Sequence, residues 1–97
     1  MDVEGFRKSV ELSAPPAGTE GPLKALWHAA KGDWQKAHEI VQDDEGKAAA
    51  WVHAYLHRVE GDQSNAGYWY RKAGQSVATI PLDDEWTAIT GSLLTLR

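Results

Sequence analysis

The chain repeats itself at a spacing of 29 residues, and this repeat constrains the fold more than any other feature of the sequence. Residues 23–44 laid over 52–73 match at five of 22 positions, against roughly 1–2 expected by chance. The identical pairs are Ala25/Ala54, His28/His57, Gly32/Gly61, Asp33/Asp62 and Ala37/Ala66. Each unit reads as an apolar helix, a Gly-Asp turn and a second helix that begins polar and ends apolar. We therefore predict two helical hairpins.

Glycine, proline and acidic residues interrupt the apolar pattern and mark the ends of the helices. We predict helices over about 2–11, 22–31, 33–42, 47–60, 64–73 and 83–95. Segment 13–19 is predicted to be a linker, because Pro15 and Pro16 lack amide donors. Residues 76–80 are rich in β-branched side chains, but no second strand is available, which favours a connector. Asp33 and Asp83 are predicted to cap the helices that follow them.

The predicted fold class is all-α, an α-α superhelix of two hairpins. We predict a single domain over 1–97, because this length is typical of one domain. The N-terminal helix and Pro-rich linker occupy 1–20, the hairpins 22–73 and a C-terminal capping helix 83–95. A hydrophobic content of 42%, with five Trp, can build one core, because a buried Trp removes about 200 Å² from water.

Composition excludes several classes of function. The chain has no Cys, so disulfides, thiolate chemistry and Cys-rich zinc sites are excluded, and any metal must be held by His and carboxylates. The net charge is −4, and the nearest thing to a basic patch is Arg71-Lys72. Nucleic-acid partners normally require concentrated Lys and Arg, so we predict no nucleic-acid binding.

No membrane or export segment is expected from the sequence. No stretch approaches the roughly 20 apolar residues that span a bilayer. The N-terminus, Met1 to Gly5, has neither the basic region nor the apolar run of a signal peptide. We therefore predict no membrane partner and a cytoplasmic location.

The hairpins resemble a known class of helical repeat. The two Gly-Asp-x-x-x-Ala turns, and above all segment 66–73, which reads Ala-x-x-Trp-Tyr-x-Lys-Ala, resemble tetratricopeptide and Sel1-like repeats. The period is 29 residues against about 34 in those repeats. In the register of the resemblance, Lys24 and His53 stand where a large apolar residue is expected. Segment 51–75 is also similar to a family of small, largely bacterial proteins without an assigned activity.

That resemblance implies a scaffold for protein contacts, since such repeats present a grooved surface to a peptide or a partner domain. Trp27, Trp51, Trp69 and Trp86 lie on apolar arcs and are predicted to be core residues. Trp34 follows the first Gly-Asp turn, where the repeat packs an aromatic between hairpins. If exposed, it would instead be an anchor for a partner. Because Trp and Arg dominate interface hot spots, we name Trp34, Arg58 and Arg71 as candidate partner contacts.

A polar stripe on the fourth helix carries the metal hypothesis. His53, His57 and Glu60 are spaced so that they meet on one face. His53 and His57 on adjacent turns can chelate zinc, with His28, His38 or Glu60 completing the set of ligands. The structural alternative is that these imidazoles bridge helices by hydrogen bonds or aromatic contacts, and the sequence favours it.

An enzymatic role finds little support. A hydrolase would use His57 as general base and Glu60 or an Asp to orient it. Ser64 and Ser76 lie in predicted turns and lack the glycine-flanked setting of an activated nucleophile. The sequence therefore predicts a non-catalytic helical-repeat module that binds a protein partner. Self-association is a possible way to cover its open ends. The alternative is a small-molecule or metal site around His53, His57, Glu60 and His28, with zinc as its only expected cofactor.

Overall fold

Six α-helices make up the chain in a computed structural model that describes residues 1–96, and that part of the chain contains no strand. The helices are α1 (Val3–Ser9), α2 (Gly21–Ala30), α3 (Trp34–Val41), α4 (Lys47–Val59), α5 (Gln63–Ala73) and α6 (Leu82–Thr95). The all-α class is confirmed, every predicted helix is present within two residues of its predicted bounds, and residues 76–80 form a connector. None of these six helices is long and apolar enough to cross a membrane.

The repeat is visible in the two Gly-Asp turns, which have the same conformation. Gly32 and Gly61 have φ of 87° and 86°, a left-handed conformation that favours glycine. The amide that follows each glycine reaches back to a helix carbonyl, Asp33 to His28 and Asp62 to His57, at 2.9 Å in both cases. These bonds are those of a Schellman motif. The Asp33 and Asp62 side chains then cap α3 and α5, so the predicted cap at Asp33 is confirmed.

Helix α4 lies at the centre of the molecule, as its apolar sequence predicts. It contacts α2, α3, α5 and α6. The main core combines side chains from every helix except α5, and its fully buried members include Phe6, Leu26, Leu56, Trp86 and Ile89. A second, smaller cluster of Ala54, Ala66 and Tyr70 holds α5 against α4. The two small alanines let these two helices approach closely.

Helices α1 and α6 close one side of the core. Trp86 on α6 stacks against Phe6 of α1 and donates its indole N–H to the carbonyl of Leu26 at 2.8 Å. The predicted cap at Asp83 is wrong, because Pro81 occupies the capping position and α6 begins at Leu82. Pro81 has an extended backbone, with φ of −55° and ψ of 150°, and Leu82 is the first helical residue. Asp83 therefore lies inside the first turn, where it pairs with Arg7 of α1 at 2.9 Å.

Candidate functional site

Three histidines from two helices meet beside the core. His38 lies on α3, and His53 and His57 lie on consecutive turns of α4. One ring nitrogen from each of the three falls within 4.8 Å of the others. The Nε2 atoms of His38 and His53 are 3.1 Å apart, and the rings of His53 and His57 stack with centroids 4.8 Å apart. We call this group the histidine triad.

The triad arises from one local rule and one packing contact. Residues four apart on a helix share a face, which places His53 beside His57. His38 belongs to the last turn of α3 and reaches them because α3 packs against α4. The sequence named His38 only as one of three possible additional ligands. Nothing in its local pattern distinguishes it from His28.

Two indoles cover the triad. Trp69 of α5 stacks on His53 with centroids 3.9 Å apart and planes 15° apart. Trp34 of α3 stacks on His38 at 4.8 Å and donates its indole N–H to the carbonyl of Leu56 at 2.7 Å. Trp34 is therefore half-buried and packs between α3 and α4. His53 and His57 are only 4% and 6% exposed.

Burial makes the triad electrostatically unusual. Desolvation, assisted by the nearby His57 and His38, lowers the pKa of His53 from 6.5 to about 4. Burial also lowers the pKa of His38, with His57 contributing in the same direction. Desolvation penalises the protonated imidazolium, so both rings are neutral at pH 7. A neutral imidazole offers a nitrogen lone pair, which is the form that binds a metal.

Glu60 holds His57 rather than meeting the other two histidines. Its Oε1 lies 2.5 Å from Nδ1 of His57. This contact leaves Nε2 as the free ring nitrogen of His57. Asp62 joins His57 and Glu60 in a second group of close ligand atoms, although its carboxylate also caps α5. Two of the predicted ligands, His53 and His57, thus come together with His38, and Glu60 supports one of them.

One nitrogen of the triad has no partner. Nδ1 of His53 is buried and makes no hydrogen bond. Its Nε2 faces His38, so one of the two rings donates and the other accepts. In either tautomer of His53, Nδ1 stays buried without a hydrogen bond, as an N–H donor or as an acceptor.

His28 lies outside both groups of close ligand atoms found among residues 1–96. It occupies the repeat position of His57, but its ring lies edge-on to Trp27 at 5.1 Å and is half-buried. The carbonyls of His28 and His57 accept the equivalent hydrogen bond in the two Gly-Asp turns, but the two side chains contact different residues. His57 faces α3 of the preceding helix pair, whereas within the described residues α2 is preceded by the single helix α1.

Arg58, a predicted partner contact, is engaged inside the molecule. Its side chain is 11% exposed and pairs at 2.9 Å with Glu85 of α6, whose side chain is 3% exposed. Arg58 also donates to the carbonyl of Ile80, and Tyr70 of α5 donates its hydroxyl to Glu85. Burial and the bond to Glu85 raise the pKa of Tyr70. The sequence did not indicate this network, because Glu85 reads there as one of three acids at a helix start.

Arg71 is exposed on the outward side of α5, a helix whose backbone packs closely against α4 only, within the described residues. This side also carries Tyr68, which is 45% exposed, and Lys72. A groove of about 600 Å³ separates this outward side of α5 from the exposed acidic turn 43–45, and Trp69 lines the groove. We call the outward side of α5 together with turn 43–45 the α5 surface.

Comparison with known proteins identifies no relative. No protein-family model, curated protein sequence or solved structure matches the chain.

Proposed function

We propose that this protein is a non-catalytic helical module that binds another protein through the α5 surface. The observation that supports this proposal is the packing of α5. Among the described residues its backbone lies close to α4 alone and it adds no side chain to the main core, and Tyr70 is the side chain that reaches α6, at Glu85. The open side of α5 displays Tyr68 and Arg71. Aromatic and Arg side chains dominate the energetics of protein interfaces, and a half-exposed Tyr is such an anchor.

The repeated turns also support this function. Two helix pairs with the same Gly-Asp turn are consistent with the resemblance to tetratricopeptide and Sel1-like repeats, and we propose that the pairs are hairpins of that kind. A short array of repeats has open ends, because each repeat buries its faces against its neighbours. Helix α5 ends the second pair and offers such a face. The cytoplasmic location predicted from the sequence is part of this proposal.

The acidic turn 43–45 favours a partner segment that places basic side chains at its edge of the groove, while Lys47, beside that turn, and Arg71 and Lys72, on α5, supply positive charges. Asp43 and Glu45 are exposed beside the groove, and no ion pair occupies them within the described residues. The whole chain is acidic, with a net charge of −4. Complementary charge would speed encounter with a basic partner and select against an acidic one. Lys72 already lies over the rings of Tyr68 and Trp69, so the aromatic part of the surface accommodates a cation.

Affinity capture with a matched control tests the proposal. The tagged wild-type chain, a Tyr68→Ser/Asp43→Lys variant and a Leu12→Ser/Glu11→Lys control would be compared in the same lysate. The control changes an acid and an apolar residue just beyond α1, and Leu12 is 59% exposed against 45% for Tyr68. Helix α1 contacts only α2 and α6 among the described residues. We expect wild type and control to retain the same proteins and the α5 variant to lose them. Capture of the same set by all three chains would refute the α5 surface as the binding site.

Sedimentation velocity separates a foreign partner from a second copy of the chain. If the wild type associates with itself and the α5 variant does not, the partner is the chain itself and the surface is its interface. A direct test of partner chemistry uses fluorescence anisotropy with labelled basic and acidic peptides of equal length. Preference of the wild type for acidic peptides would contradict the charge argument.

A further inference from the structure

We propose that the histidine triad is a binding site for a divalent late first-row transition metal ion such as Zn²⁺. In this site His38, His53 and His57 are the ligands, and Glu60 holds the imidazole of His57 through Nδ1. The inference is independent of the proposed protein binding. The ligand set differs from the one that the sequence suggests: it includes His38 and excludes His28, and Glu60 supports the ligand His57 instead of binding the ion itself.

The separation of the nitrogens suits a shared ion. In a tetrahedral zinc site with bonds of about 2.0–2.1 Å, two ligand nitrogens lie about 3.3–3.4 Å apart. The Nε2 atoms of His38 and His53 are 3.1 Å apart, and one nitrogen of His57 lies within 4.8 Å of both ligand positions. Small rotations of the three rings would bring them to one ion. Such an ion would join α3 to α4 and so tie the first helix pair to the second.

His53 is an imidazole at a buried position where a polar ring has a cost. Its Nδ1 is buried without a hydrogen bond, and an unpaired buried polar group costs about 1–3 kcal/mol. A large apolar side chain, which the repeat resemblance places at this position, would fill the space between Trp69 and His57 without that cost. The feature that an imidazole supplies here and an apolar side chain would not is Nε2, which faces His38 and would bind the shared ion, with the ring proton on Nδ1.

Glu60 completes the pattern of a metal ligand and its support. Histidines that bind metals almost always donate their second ring N–H to a carboxylate, a carbonyl or water, which sets the tautomer and the ring orientation. Oε1 of Glu60 lies 2.5 Å from Nδ1 of His57, which orients the ring and leaves Nε2 as the nitrogen that would bind an ion. Three imidazoles suit Zn²⁺, Cu²⁺ or Ni²⁺ rather than Mg²⁺ or Ca²⁺, which prefer oxygen. Water would fill the remaining coordination positions.

Zinc uptake by the full chain tests the site. Protein treated with a chelator would be dialysed against ZnCl₂ at pH 7.5, its zinc content measured by metal analysis and its affinity by calorimetry. We expect one zinc ion per chain and a dissociation constant in the micromolar range or below. With Co²⁺ as probe, we expect the visible absorption of a four- or five-coordinate nitrogen site. Absence of stoichiometric zinc uptake by the folded wild type would overturn the proposal.

Three variants test which residues bind. His38→Gln should weaken zinc binding by at least about 100-fold, and Glu60→Gln by about 10–100-fold. His28→Gln, which changes the repeat equivalent of His57, should leave the affinity unchanged. His38 is half-buried near the end of α3, so circular dichroism is expected to show an intact fold in its variant. Wild-type affinity in His38→Gln, or an equal loss in His28→Gln, would contradict the assignment.

Nuclear magnetic resonance of the wild type avoids any dependence on variants. Zinc should shift the ring-nitrogen resonances of His38, His53 and His57 and leave those of His28 in place. Zinc-induced shifts that omit His38 would refute the site even if every variant failed to fold.

Discussion

The imidazole of His53 lies flat against the indole of Trp69, with ring centroids 3.9 Å apart. This contact joins α4 to α5 on one side of His53, and the Nε2 contact with His38 joins α4 to α3 on another. His53 is consequently 4% exposed although it is polar. The same burial that makes this ring a good neutral ligand makes it vulnerable to acid.

Acid should destabilise the metal-free protein through His53. Its pKa is about 4 in the folded chain against 6.5 for an exposed histidine. The unfolded state therefore binds more protons between these two pH values, and stability falls as pH drops from about 6.5 to 4. We expect a loss on the order of 3 kcal/mol over this interval from His53 alone, measured by urea denaturation in the presence of a chelator.

Two variants test whether His53 causes the loss of stability in acid. Around His53 the titratable neighbours are His38 on α3 and His57 on its own helix, with Glu60 beyond His57. His53→Leu should flatten the dependence of stability on pH, while His28→Gln should retain most of it. An unchanged slope in His53→Leu would show that other groups cause the acid loss.

Replacing His53 by an apolar residue should stabilise the metal-free protein at pH 7. His53→Leu removes a buried Nδ1 that has no hydrogen bond, and we expect a gain of about 1 kcal/mol in the free energy of unfolding. His38 is half-buried, so water can satisfy its Nε2 after the change. The same variant should lose zinc binding. A destabilised His53→Leu chain would mean that the imidazole contributes packing or hydrogen bonding that leucine cannot replace.

The buried pair of Arg58 and Glu85 should be costly to break from one side. Glu85→Ala leaves the Arg58 guanidinium without its carboxylate and Tyr70 without its acceptor. We expect a loss of about 3–5 kcal/mol in chemical denaturation. The control is Asp83→Asn, which removes a carboxylate that is 74% exposed and pairs with Arg7. Such an exposed pair contributes less than about 1 kcal/mol to the free energy of unfolding. Equal losses of stability in Glu85→Ala and Asp83→Asn would contradict the role of burial.

The two Gly-Asp turns should respond equally to substitution. An alanine at Gly32 or Gly61 would meet no atom within 4 Å, so only the left-handed backbone conformation resists it. We expect each change to cost about 1–2 kcal/mol. Gly67 lies inside α5 with ordinary space around it, and Gly67→Ala should gain about 0.5–1 kcal/mol. Thermal denaturation compares the three variants, and a neutral result at Gly61 would be inconsistent with the φ of 86°.

The helices and the turns of this protein were predictable because their causes are local. Gly61 and Asp62 determine a turn through the backbone freedom of one residue and the side-chain oxygen of the next. The apolar spacing along α4 likewise predicts a central helix, since it acts through the geometry of a single helix. Even the error at Asp83 is local, because Pro81 is the capping residue and α6 therefore begins at Leu82, ahead of the acidic run.

The candidate metal site was only half predictable. His53 and His57 belong to one helix, so their spacing places them together. The repeat predicts that His28 is equivalent to His57. The two residues are equivalent in the hydrogen bonding of their Gly-Asp turns, but their side chains have different neighbours. The exposure of a side chain was also hard to predict, since nothing in the sequence distinguishes Arg58 from a surface Arg until its contact with Glu85 is known.

The sequence by itself determined six helices, two matching turns and one pair of neighbouring histidines. Only the tertiary structure decided that His38 joins them, that Trp34 and Trp69 cover them, and that Arg58 points inward. The reason is that these contacts connect different helices, as with His38 and His53 across α3 and α4 or Arg58 and Glu85 across α4 and α6. Packing of whole helix faces brings such residues together, and no rule that acts within one helix contains that information.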